Sequence, residues 1–174
     1  VWLAMPNLSV PCDKPIIAAV CGFAVGAGST LVMLSDMAVA EDDAKFIYPE
    51  AKIGAFAGIM AGFPPRIQYK AGLEWLMTGD PMTAQRAYEI GLVNRLAPKG
   101  QAREVAMEVA KKIAANAPLV VQAMKSIARG TLPPSPTALY YPQRRMLDGI
   151  ANSDDIKEGV ASFKDKRPPR FTGR

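Results

Sequence analysis

Lys14-Pro15-Ile16-Ile17-Ala18-Ala19-Val20-Cys21-Gly22-Phe23-Ala24-Val25-Gly26-Ala27-Gly28-Ser29-Thr30 is the stretch that decides the fold class of this chain. Residues 15–21 are a short apolar run closed by glycine, the pattern of a buried strand. Glycines then punctuate a turn, and 29–35 reads as a helix that is apolar on nearly every side and therefore buried. A strand-to-helix turn of this kind leaves backbone N–H groups without intrahelical partners, beside the positive end of the helix dipole. It is a ready site for an oxyanion.

Outward from this stretch, Met37-Ala38-Val39-Ala40 reads as a second strand, Glu41-Asp42-Asp43 as a turn and Lys45-Phe46-Ile47-Tyr48 as a third strand. Short strands alternating with one buried helix predict repeated ββα units. After residue 68 the pattern turns helical. A helix over 71–78 ends at Gly79, a good left-handed cap, and Thr83 can cap the next helix, which stops at Gly91. Ala102, Val105, Ala106, Val109, Ala110 and Ile113 form one apolar stripe over 101–115. Pro118 opens a helix to about Arg129, the proline-rich 131–136 is a linker, and 137–150 and 154–164 read as two last helices. So much amphipathic helix beside so little sheet needs a further surface to pack on, and oligomerisation is the expectation.

Composition narrows the chemistry. The chain has 174 residues, 49% apolar and 21% charged, and a formal net charge of +5. No apolar run is long enough to span a bilayer and no signal peptide is visible, so the expected location is cytoplasmic. The chain contains no histidine, which removes a Ser-His-Asp triad, a Cys-His dyad and a His-ligated zinc site. Cys12 and Cys21 lack metal-binding spacing, so no metal site is expected. Lys164, Lys166, Arg167, Arg170 and Arg174 cluster at the tail, where they fit either a phosphate-bearing ligand or a solvated terminus. Aromatic residues are 7% and no nucleic-acid motif accompanies the charge, so nucleic acid is not an expected partner.

Together with Pro49-Glu50-Ala51-Lys52-Ile53-Gly54, the opening stretch resembles the crotonase superfamily, the enoyl-CoA hydratases and isomerases. The resemblance implies an α/β fold: a crotonase-like spiral of ββα units, truncated on its N-terminal side, followed by a helical oligomerisation region. Residues 1–68 would be the C-terminal part of the spiral core, and 69–174 the helical region for oligomerisation and CoA contact. It implies an acyl-CoA thioester substrate, an enolate intermediate, and no cofactor apart from the coenzyme A that is part of the substrate. Removing one N–H donor from such an oxyanion site typically costs roughly 10²–10³ in rate.

By this match Ala27 N–H is an oxyanion donor, and Gly26 and Gly28 permit the turn. Glu50, after Pro49, is the acid/base. Val25, Gly26, Gly28, Thr30, Pro49, Ile53, Phe56 and Gly58 would contact substrate. The family's hydratases carry a first glutamate where this chain has Thr30. A threonine can bond a water but cannot take its proton at neutral pH. One carboxylate suffices to move a double bond, so the pattern leans to isomerisation, with hydration still open. Phe56, Ile59, Met60 and Phe63 point to an apolar acyl or aromatic group, as would a packed core.

The tail from Glu158 to Arg174 also matches the family. There the terminal helix crosses to a neighbouring subunit, and Phe163 and Lys166 match an aromatic and a lysine that approach CoA. A homotrimer or hexamer is implied. The resemblance further implies an N-terminal stretch, with sheet strands and the second oxyanion N–H, to which nothing before Val1 corresponds. A non-catalytic CoA- or RNA-binding protein on the same fold is the alternative.

Overall fold

Two ββα turns stack on each other in the computed structural model, which describes residues 7, 10–55, 66–132 and 144–173. The first comprises β1 (Ile17–Val20), β2 (Phe23–Val25) and α1 (Ala27–Leu34). The second comprises β3 (Met37–Glu41), β4 (Lys45–Ile47) and α2 (Tyr69–Thr78). β1 pairs in parallel with β3, and β2 pairs in parallel with β4. Each strand of the second turn therefore lies beside its counterpart in the first, which is a spiral of ββα units. Parallel strands covered on both faces need no polar alternation. Ala38, Val39, Ala40 and Glu41 are accordingly all buried.

Three strands depart from the sequence reading. β2 lies inside what reads as a glycine-punctuated turn. After residue 68 the chain is not all helix: β5 (Met82–Thr83) pairs antiparallel with β4, and β6 (Arg95–Ala97) pairs parallel with β3. Strands of two or three residues are too short for a period of two to show. In β2 the outward side chains, Phe23 and Val25, are themselves apolar and exposed, so no alternation marks it.

The helices of the second half are α3 (Ala84–Glu89), α4 (Ala102–Ala114), α5 (Pro118–Gly130), α6 (Arg144–Ala151) and α7 (Asp154–Lys164). Their ends follow the expected cap chemistry. Gly79 closes α2 at φ 63°, its N–H donating to Trp75 O, and the Thr83 hydroxyl accepts the Arg86 N–H at 3.1 Å. The predicted linker at 131–136 lies mostly outside the described residues, as does the start of the helix predicted over 137–150.

The main core gathers Phe46, Trp75, Ala84, Ala87, Ile90 and Val93 between the sheet and α1 to α3. A second cluster seats the α4 stripe, through Ala102 and Ala106, on Val39 and Ala97. Asp36 locks the end of α1: its carboxylate accepts the Ile16 N–H at 2.7 Å and pairs with Lys125 of α5 at 2.7 Å. No residue of α5 is fully buried, although Arg129 also donates to Asn7. Leu119, Met124 and Ile127 are 78%, 66% and 72% exposed, so its apolar stripe faces outward. No helix among the described residues is long and apolar enough to cross a membrane.

Candidate active site

The site is built where α1 begins and β4 ends. Gly26 caps α1 at φ 50°, a conformation open to glycine, and its N–H donates to Ile47 O at 2.9 Å. The first i→i−4 bond of the helix runs from Thr30 N–H to Gly26 O at 3.0 Å. The N–H groups of Ala27, Gly28 and Ser29 precede it and have no carbonyl within the helix to use. Ala27 is exposed at this terminus. Ser29 is fully buried, and its hydroxyl reaches Ala24 O at 2.7 Å and Ile47 O at 3.1 Å.

Beyond Ile47 the chain passes through buried Tyr48 and half-buried Pro49 into a tight turn. Lys52 N–H and Ile53 N–H both donate to Pro49 O, and Ala55 N–H donates to Glu50 O. This turn aims Glu50 back at α1. A Cβ on Gly26 would lie 3.3 Å from Glu50 Oε1, so the carboxylate rests against the glycine at the helix terminus. Glu50 Oε2 is buried with no hydrogen-bond partner. Burial pushes the Glu50 carboxyl above the usual carboxylate range, against a smaller pull from its own backbone N–H. Burial, and then the charge of Glu50, raise the Tyr48 phenol. Tyr48 is held by a tilted contact with Trp75, ring centroids 6.4 Å apart.

Glu50 lines a cleft of about 500 Å³. Its walls are Tyr48, Leu73, Leu76 and Met77 of α2, Ile150 of α6, and Ser153, Asp155 and Gly173 near α7 and the tail. The cleft is closed on this side because α7 packs tightly on the Glu50 turn. A Cβ on Gly159 would collide with the Ile53 carbonyl, and one on Gly54 would lie 2.7 Å from Asp155 O. Two glycines, on opposite sides of the contact, allow that approach.

The tail folds back along α7. Asp155 accepts Thr172 N–H at 2.6 Å and Gly173 N–H at 2.8 Å. Glu158 takes both terminal nitrogens of Arg167, at 2.6 and 2.8 Å, and the Arg170 N–H at 2.8 Å. These donors hold its carboxyl down at about 2. Arg167 is thereby committed to the chain itself rather than to a phosphate.

The residues foreseen from sequence divide into three groups. Glu50 rests against Gly26 at the α1 terminus, where Ala27 is the next residue, with Val25, Gly28 and Pro49 adjacent in the chain; of these only Glu50 lines the cleft. Thr30 is completely buried, with its hydroxyl given to Gly26 O at 3.2 Å, and it does not line the cleft; Ile53 lies under α7. Phe56 and Gly58, with Ile59, Met60 and Phe63, lie outside the described residues. Phe163 is 76% exposed, Lys166 is exposed at φ 52°, and neither lines the cleft. Sequence reasoning misses Ser29, Tyr48 and the walls from α2 and α6. A polar residue inside an otherwise apolar buried helix is the available sign for Ser29.

Comparison with known proteins agrees with this architecture. A family model described as enoyl-CoA hydratase/isomerase matches residues 6–174. The chain is 36% identical over 166 residues to 2,3-dehydroadipyl-CoA hydratase of Escherichia coli (strain K12), covering 93% of this chain and 64% of that protein. It is also 36% identical over 174 residues to carnitinyl-CoA dehydratase of Proteus mirabilis (strain HI4320), with the same coverage of 93% and 64%. The crystal structure of carnitinyl-CoA hydratase from Mycobacterium avium superposes with a TM-score of 0.85 at 38% identity, covering 94% of this chain and 65% of that one. The chain thus spans about 64% of the length of the curated relatives it matches.

Proposed function

This chain belongs to the enoyl-CoA hydratase/isomerase family, and we propose that it carries the acid/base half of an acyl-CoA active site. The substrate is an acyl-CoA thioester, and the reaction passes through an enolate whose oxygen is held by Ala27 N–H at the start of α1. Glu50 removes and returns the proton. The observation that carries this reading is Glu50 itself: a carboxylate against the helix terminus, one oxygen buried without a partner, its pKa raised by burial. A carboxyl prepared in this way holds its proton more readily than an ordinary carboxylate and suits acid/base work.

Thr30 supports one-carboxylate chemistry. Its hydroxyl serves Gly26 O and offers nothing to a water in the cleft. Double-bond isomerisation needs one group to take a proton and give it back, and this is the preferred reaction; hydration is the second. The walls of Leu73, Leu76, Met77 and Ile150 favour an apolar acyl group. The exposed Phe163 ring and Lys166 are available to the CoA of a neighbouring subunit in a homotrimer or hexamer, and the outward stripe of α5 is available to that assembly or to the rest of the domain. The test uses full-length protein with crotonyl-CoA and a 3-enoyl-CoA. Isomerisation that Glu50→Gln abolishes, with CoA-ester binding retained, is the expected result. Equal behaviour of wild type and variant would mean a binding module.

A further inference from the structure

We propose that Ser29 is a positioning residue: its hydroxyl sets the spacing between the oxyanion-binding terminus of α1 and the carboxylate of Glu50. This rests on the reading of Glu50 and Ala27 given above, and it concerns how two groups from separate chain segments are kept in register.

Helical hydroxyls ordinarily bond back to the carbonyl four residues earlier. Thr30 does so to Gly26, Thr78 to Glu74, and Ser35, at the end of α1, to Leu31. Ser29 does not. Its hydroxyl oxygen lies 2.7 Å from Ala24 O of β2 and 3.1 Å from Ile47 O of β4, close enough for its one proton to be shared between the two carbonyls, and the side chain is fully buried. One hydroxyl on α1 therefore bonds both strands of the sheet beneath it. Ile47 O receives a second donor from the same turn, Gly26 N–H at 2.9 Å.

Ile47 is the last residue of β4, and only Tyr48 and Pro49 separate it from Glu50. Proline fixes its own φ, so the short link transmits the position of Ile47 to the carboxylate. The α1 terminus and Glu50 are thus referred to the same carbonyl. Without the Ser29 bond, the Gly26 N–H and the β2–β4 ladder, which sets Val25 opposite Ile47, would remain, but no side chain of α1 would reach that carbonyl. A displacement of about 1 Å between reacting groups can cost about 10²-fold in rate.

The experiment compares full-length wild type, Ser29→Ala and Ser29→Cys, which keeps a weak donor at similar volume. Turnover of a 3-enoyl-CoA is read as kcat and KM, and the Glu50 carboxyl is titrated by carbon NMR, assigned by its loss in Glu50→Gln. Tyr48 and Asp155, the other titratable side chains of the cleft, are the same in all three proteins. In Ser29→Ala, kcat should fall about 10- to 100-fold with KM within about threefold, and Ser29→Cys should recover part of the loss. The Glu50 titration should move toward the ordinary carboxylate value as the carboxyl leaves its buried seat. A wild-type kcat and an unmoved Glu50 titration in Ser29→Ala, whatever its melting temperature, would overturn the proposal. Should Ser29→Ala not fold, the same two readouts on Ser29→Cys decide. Should wild type turn over no enoyl-CoA, the catalytic reading fails, while the titration still reports whether Ser29 seats Glu50.

Discussion

Glu50, in the turn after β4, keeps one carboxylate oxygen buried and unbonded, whereas Glu158, on α7, accepts three hydrogen bonds at the surface. Burial raises the first carboxyl, and the Arg167 guanidinium with the Arg170 N–H lowers the second to about 2. The difference separates two uses of the same side chain. At the tail the charge is consumed in holding 165–173 against α7. At the α1 terminus one oxygen is left without a partner, at a cost to the fold, and a proton is held more readily there.

The largest effect follows from filling or removing the unpartnered group. Glu50→Gln in the full-length protein should lower kcat on the order of 10³-fold. It should not destabilise the fold. A carboxyl whose folded pKa is raised favours the folded state when protonated, and that stability is lost as pH rises from the ordinary value through the raised one. At pH 7 the neutral glutamine escapes this loss, so the melting temperature should rise by about 2 °C. A drop in both activity and melting temperature would show that Glu50 holds the fold together rather than being kept at a cost to it.

Next in size is the contact that shuts one region against the other. Gly159→Ala places a methyl group on the Ile53 carbonyl, where backbone must yield. Chemical denaturation should show a loss of about 3 kcal/mol, with the Glu50 turn displaced and kcat reduced. Unchanged stability would mean that α7 does not bear on the turn.

The pH dependence distinguishes the two carboxylates without a mutation. As a base, Glu50 must be ionised, so kcat/KM should rise with pH along a limb centred above the ordinary carboxylate value of 4.5. A limb at or below that value would place the working carboxylate in a polar, partnered setting instead.

Much of this comparison is legible in the amino-acid sequence itself. Pro49-Glu50 at its fixed spacing from the glycine turn marks the carboxylate, and capping residues such as Gly79 and Thr83 set the helix ends to within about two residues. The burial of Glu50 is not legible, because it depends on segments distant in sequence meeting at this turn: α1 lies against its carboxylate, and α7, more than a hundred residues later, lies on Gly54 and Ile53. β2, β5 and β6 are too short to carry a pattern. The apolar stripe of α5 is plain in the sequence, yet its exposure is not. Ser29 leaves only a polar letter in an apolar helix.

The smallest effect is expected at Glu158. Its bonds are solvent-exposed, and exposed ion pairs contribute little to global stability even when bidentate. What they hold is local: Glu158 joins Arg167 and the Arg170 amide to α7, and the tail then reaches Asp155 at the rim of the Glu50 cleft. A lowered folded pKa gives stability that is present above the ordinary value of 4.5 and is lost as pH falls through about 2. The wild-type tail should therefore stay docked across the neutral range and loosen only in strong acid. Glu158→Ala should loosen it at every pH, seen as faster amide exchange at Arg170 with a melting temperature within about 2 °C of wild type. Because Asp155 still binds Thr172 and Gly173, the cleft wall should persist and kcat should change less than about threefold. A large fall in kcat would join the two regions functionally, making the saturated carboxylate part of the machinery that keeps the other one unpartnered.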